Sequence, residues 1–174
     1  DVFLCPAGRA EIEALATAAG VAMPTTYEAF LAAQEALLTR RVQEGMIGVK
    51  GFCLPYVPGD AEAAKRAYAA VLEDQADPGQ RQALTHALRD HLYEQCGRLG
   101  IVVVKHSGVW SGGWVDHSNI RPTFIFPVAA AHRQTRFDLF HAGTPRPEDA
   151  GLIARSLPNV WLNLCWSHLL SPRQ

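Results

Sequence analysis

Apolar positions along this chain switch repeatedly between helical spacing and short unbroken runs. Thr25 and Glu28 stand at capping-box spacing, and Tyr27, Phe30, Leu31, Gln34, Leu37, Leu38 and Val42 then recur every three or four residues. That pattern predicts an amphipathic helix ending near Gly45. The stretch MIGVKGFCLPY follows, short, apolar and interrupted by glycine, as a strand buried on both faces reads. Ala61, Ala64, Tyr68, Val71 and Leu72 mark the next helix. Leu84, Leu88, Leu92, Cys96 and Leu99 mark another, separated from it by DPGQ and closed by Gly100. IVVVKH is a β-branched strand without alternation. The two prolines of SNIRPTFIFPVAAAHRQT predict a broken or short helix, with its last turns around Val128 to Arg133. RFDLFH is a strand ending in an imidazole, and a helix from about Pro147 to Leu157 carries Glu148 and Asp149 in its favourable first turn. Pro158 stops that helix, and NVWLNLCW is the last strand. At the front, VFLC predicts a strand, and Ile12, Leu15, Ala16 and Ala19 a helix.

Strands alternating with helices imply an α/β fold with a parallel sheet. At 174 residues and 48% hydrophobic composition, the chain is long enough for one domain with a sizeable core, expected to span residues 1–174. A formal net charge of -1 leaves no basic stripe for nucleic acid and no polybasic surface for anionic lipid. Neither a membrane span nor a signal-peptide pattern is present, so the expected setting is soluble and cytoplasmic. The four cysteines, Cys5, Cys53, Cys96 and Cys165, form no C-x-x-C pair and read as reduced packing residues. No dinucleotide or P-loop glycine pattern joins a strand to a helix. GVWSGGW is glycine-rich but lacks the lysine.

In parallel α/β folds, ligands meet the loops that follow the strands, so polar residues there carry the functional information. These are Lys50, His106, His141, Asn163 and Trp166. His106 and His141 stand 35 residues apart, about one strand-helix repeat. Strands pack roughly 4.8 Å from their neighbours, so side chains at matching heights could converge on one ion. Imidazole suits zinc foremost, with manganese, iron or cobalt as alternatives. Lysine is an ordinary cation that would bind an anionic substrate or, if neutralised, a metal. Trp110 and Trp114 flank the glycine-rich loop and could wall a substrate or pack the loop. His86, His91 and His132 are expected on solvated helix faces, and Trp161 in the core. His117 and Asp116 fall in a loop, and Arg146 at a helix start. His168 and Trp166 follow the last strand and are candidate substrate contacts.

The stretch RFDLFHAGTPRPEDAGLIARSLPNVWLNLCWSHLLSP resembles the histidine strand, following helix and PNV-type strand of the amidohydrolase superfamily, in its amidohydrolase-related group with uronate isomerase relatives. GMIGVKGF is similar to that group's lysine strand and IVVVKHSGV to its other histidine strand. The resemblance runs from about residue 25 to 172. It implies a (β/α)8 barrel of which this chain holds about strands 3 to 7, with a divalent metal at the carboxyl-end mouth. It further implies a metal-dependent hydrolase, in which a metal-activated water attacks a C–N or C–O bond of a small-molecule substrate. On that pattern His106 is a metal ligand, His141 a metal ligand or the catalytic histidine, and Lys50 matches a position that bridges two metals in some relatives and contacts substrate or solvent in others, which makes His141 and Lys50 the catalytic candidates; Trp110, Trp166 and His168 are candidate substrate contacts by their places after the strands. Decarboxylase and uronate isomerase-like activities belong to the same superfamily, and a non-catalytic binding unit is the reading from another class. The superfamily's first-strand H-x-H and last-strand aspartate are absent from the sequence. The chain by itself is therefore expected to be inactive, to bind metal weakly, and to self-associate through its open sheet edges.

Overall fold

The computed structural model describes residues 5–108 and 117–170. The chain divides into two compact units, residues 1–46 with 57–95, and residues 47–56 with 96–174. Residues 2–4 of the VFLC segment lie outside the described residues.

The first unit is helical. Helix α1 (Arg9–Ala19) buries Ile12, Leu15 and Ala16, and ends at Gly20, whose left-handed φ of 72° lets its N–H turn back to the last carbonyls. Helix α2 (Tyr27–Gln43) is capped by Thr26, whose hydroxyl accepts from the Ala29 N–H, rather than by Thr25. The spacing argument lands one residue early because Thr25 and Thr26 are both competent caps. Helix α3 (Ala61–Leu72) starts at Asp60, which accepts from the N–H groups of Glu62 and Ala63. Helix α4 (Pro78–Leu99) opens on a reciprocal cap: the Asp77 N–H donates to Gln80 Oε1 at 2.9 Å, and the Gln80 N–H to Asp77 Oδ1 at 2.8 Å. The DPGQ separator is thus the start signal of the second helix.

The second unit carries a four-stranded parallel sheet with strands in sequence order. They are β1 (Gly48–Phe52), β2 (Val102–His106), β3 (Arg136–Leu139) and β4 (Val160–Leu162). Lys50, Val104, Asp138 and Trp161 stand abreast in register across the four strands. Short helix α5 (Ile125–Ala131) lies between β2 and β3, α6 (Pro147–Ser156) between β3 and β4, and α7 (Ser167–Leu170) follows β4.

One sheet face, carrying Val49, Val103, Phe137, Leu139 and Val160, is buried. Lys105 shares that face and is only 3% exposed. The nearby thiols of Cys53 and Cys96 are both pushed up to about 12 by burial, which outweighs the opposing pull of the Lys105 charge. The opposite face is partly open, which corrects the expectation of strands buried on both sides. Burial alternates along β2 and β3, and Trp161, expected in the core, is 49% exposed. The apolar runs concealed this, since Val102 and Val104 look like core residues yet face a layer left open among the described residues. An open depression of about 480 Å3 lies there, lined by Ile47, Val102, Arg136, Asp138 and Trp161. Among the described residues the strands form an open parallel α/β sheet that does not close into a barrel.

The turn between α5 and β3 is held by one side chain. Asn159 Nδ2 lies 3.0 Å from Ala129 O, 3.1 Å from His132 O and 3.0 Å from Thr135 O. His132, expected on a solvated face, is buried there, and its ring meets the Tyr56 hydroxyl at 3.4 Å. It caps the end of α5 rather than lying on its outer side.

Candidate functional site

His106 is the last residue of β2, and its carbonyl accepts the Cys53 N–H at 2.9 Å, extending the ladder to β1. His141 lies two residues beyond β3, in a turn over Phe140–Gly143. His141, Ala142 and Gly143 all adopt left-handed φ angles of 60°, 45° and 69°. The turn redirects the imidazole, so it is a loop residue rather than a strand terminus. Three contacts hold this non-glycine geometry. The Ala142 N–H donates to Asn163 O at 2.9 Å, the Ser107 hydroxyl to Phe140 O at 2.9 Å, and the Thr144 N–H to His141 O at 2.8 Å.

This arrangement brings the two imidazoles together, with ring centroids 4.7 Å apart and planes at 68°. Phe52 and Phe140 flank them at 5.9 Å from His106 and 5.6 Å from His141. His141 is 7% exposed, and its Nδ1 lies 2.9 Å from the Cys165 carbonyl and 3.5 Å from the Cys165 thiol. A carbonyl only accepts, so Nδ1 carries the hydrogen and Nε2 keeps the lone pair in the neutral ring. Cys165, read from sequence as a packing residue, is thus partly exposed and in contact with His141.

Lys50 reaches the same neighbourhood from β1, with its ammonium 3.3 Å from the centre of the Phe140 ring. Burial lowers its pKa, against the charges of Cys165 and Asp138, which act to raise it. The unfolded chain therefore binds more protons than the fold between the lowered pKa and the ordinary lysine value near ~10.4, so this residue's contribution to stability rises with pH across that window. The chain has three lysines, and the other two are well suited as references. Lys65 is raised by its hydrogen bond to Glu28, and Lys105 is buried. Amine acylation near pH 9, read by peptide mass spectrometry, is expected to modify Lys50 several-fold faster than Lys65. Equal rates would refute the lowered pKa.

Trp166, another left-handed residue at φ 64°, places its ring 6.4 Å from that of His141. Trp110, Trp114 and Asp116 lie outside the described residues, as do the side chains of His117 and His168. Asp138 escaped the sequence reading. It faces the open side of β3 and accepts a hydrogen bond from Asn163 Nδ2 at 3.0 Å. The signal was present in RFDLF, where a lone acid interrupts an apolar run, but only register places it level with Lys50, with β2 between them.

The donor set agrees with a divalent metal in kind and falls short in number. Two imidazoles converge, yet the described residues contain no group of three or more His, Cys, Asp or Glu that could hold an ion. A catalytic zinc ordinarily takes three protein ligands. No described helix is long and apolar enough to cross a membrane.

No protein-family model matches the chain, and no curated protein matches it. Solved structures do. A protein from Lactobacillus casei designated a metal-dependent hydrolase superposes with a TM-score of 0.63 at 16% identity, over 86% of this chain and 41% of its own. Uronate isomerase from Thermotoga maritima gives 0.65 at 12% identity, over 88% of this chain and 38% of its own. The likeness is one of fold. Glucuronate isomerase from Caulobacter crescentus repeats it, with a TM-score of 0.60, 13% identity, and coverage of 88% and 36%. The chain spans about two fifths of the length of these structures.

Proposed function

We propose that this chain is the histidine-bearing portion of a metal-dependent hydrolase of the amidohydrolase-related kind. The observation that carries the reading is the pair of imidazoles, His106 at the end of β2 and His141 in the turn after β3, with ring centroids 4.7 Å apart and Lys50 over the neighbouring Phe140 ring. The neighbour designated a metal-dependent hydrolase supports it. A divalent ion between them would lower the pKa of water and make hydroxide available for attack on a C–N or C–O bond. The residues themselves do the rest. His106 and His141 supply neutral nitrogen donors, Lys50 offers a cation to an anionic substrate group, and Trp166 lends an apolar surface at the rim. His168, Trp110 and the metal identity, zinc foremost, belong to this proposal too. Completing the coordination sphere requires a ligand beyond the described pair.

Cobalt(II) titration followed by NMR tests the pair directly. The ring resonances of His106 and His141 are expected to broaden together, at metal concentrations well above those a three-ligand site needs, while His86 and His91 stay sharp. Broadening confined to the helical histidines would refute the proposal. A sugar-acid isomerase is the second reading, favoured by the two uronate isomerase neighbours. Turnover of uronates, rather than amides or esters, by the protein that carries this segment would decide for it.

A further inference from the structure

A continuous series of hydrogen bonds leads from the open sheet face to His141. The Asp138 carboxylate accepts from Asn163 Nδ2 at 3.0 Å. The same amide turns its Oδ1 to the Cys165 N–H at 2.9 Å. An N–H can be met only by the oxygen, so the two partners fix the orientation of the Asn163 amide. Cys165 then presents its carbonyl to His141 Nδ1 at 2.9 Å. The loop that offers this carbonyl is further held by the Ser167 hydroxyl, which donates to Leu164 O at 2.8 Å. At the far end of the series, His141 Nε2 has no hydrogen bond among the described residues, although the residue is only 7% exposed. A buried imidazole with one nitrogen satisfied and the other open is arranged to receive a ligand or a proton at the open one.

We propose that Asp138 and Asn163 are positioning residues that set the tautomer of His141. They hold the Cys165 carbonyl against Nδ1–H, so that in the neutral ring Nε2 presents its lone pair. Neither residue touches the His141 ring; they act through the backbone of Cys165. Without that carbonyl the neutral ring is free to move its hydrogen to Nε2, and the nitrogen then ceases to be a donor to a cation or an acceptor of a proton. The inference deepens the reading of His141 as a site residue and is independent of whether a metal is what it binds.

The test reads the tautomer itself, in the 174-residue chain labelled with 15N-histidine, with His141 assigned by its replacement. Expected in the unsubstituted chain is a single form, pyrrole-type at Nδ1 and pyridine-type at Nε2. Asn163→Ala and Asp138→Leu should lose that single form and show Nε2–H. Asp138→Asn retains an oxygen acceptor and should restore the original pattern. Cys165→Ala keeps the carbonyl and should leave the pattern unchanged. Should the alanine or leucine variant fail to fold, Asn163→Asp, which keeps the acceptor for Cys165 N–H but loses the donor to Asp138, gives the same readout. The proposal is overturned if the unsubstituted chain shows Nε2–H, if folded variants at 138 and 163 keep Nδ1–H, or if Cys165→Ala alone erases it. Cobalt titration of the same sample separates the two ideas. A retained Nδ1–H form without broadening at His141 removes the metal and leaves the positioning series intact.

Discussion

Replacing Asn159 by leucine is expected to lower stability by about 3 kcal/mol, because the two hydrogens of one buried amide are shared among three carbonyls and leucine offers none; His132 O keeps the Thr135 N–H, while Ala129 O and Thr135 O lose this donor. Asn159 is 8% exposed, so water has little route to replace the lost donors. The backbone contact it leaves behind, Phe137 N–H to Asn159 O at 2.8 Å, does not depend on the side chain and should persist. For a chain of this length such a loss corresponds to a fall in Tm of roughly 6–12 °C, measurable by calorimetry. Asn159→Asp should be no better, since a carboxylate would face three carbonyl oxygens with no hydrogen to offer. A leucine variant as stable as the original would mean that these carbonyls find other donors, and that the turn is not held as described.

The second large effect is expected at Gly108, directly after the His106 strand. Its φ of +76° favours glycine, and a Cβ there would overlap the carbonyl oxygen of Thr144, in the turn that orients His141. The Gly108 N–H is itself engaged within the β2–β3 connection, donating to Ile120 O at 2.9 Å. Gly108→Ala is expected to cost roughly 3–5 kcal/mol, the scale of strain combined with overpacking. Because the strain falls between the loops after β2 and β3, it should also separate the two imidazoles, read as loss of their mutual ring-current shifts. The control is Gly151→Ala on α6, where an added Cβ meets nothing within 4 Å and should stabilise by about 0.5–1 kcal/mol. Equal behaviour of the two substitutions would show that loop contact plays no part in forming the site.

Much of the element order was legible in the chain. The helices carrying Phe30, Tyr68 and Leu88 and the strands carrying Val103 and Phe137 stand where periodicity placed them. The proximity of His106 and His141 was legible too, because one ends β2, the other lies just past β3, and sequential strands are neighbours in this sheet. What periodicity misjudged was exposure. A run such as VVVKH has no alternation in residue type, yet it alternates in burial: Lys105 points to the buried face while Val104 is half-buried on the open one. Residue type is an imperfect guide to side in a short strand, where register with its neighbours decides the face.

Local burial period belongs to a handful of adjacent residues, and so the sequence by itself determined that helices and parallel strands alternate and that one imidazole ends a strand while another lies just past the next one. Which polar groups meet is a matter of register and turn geometry between segments far apart in the chain. Only the tertiary structure decided that Asp138 stands level with Lys50, that a left-handed turn carries His141 toward His106, and that the Cys165 carbonyl, steadied by Asn163, takes the hydrogen of Nδ1. Those outcomes rest on directional hydrogen bonds, which exist only once the partners have been brought within about 3 Å of one another.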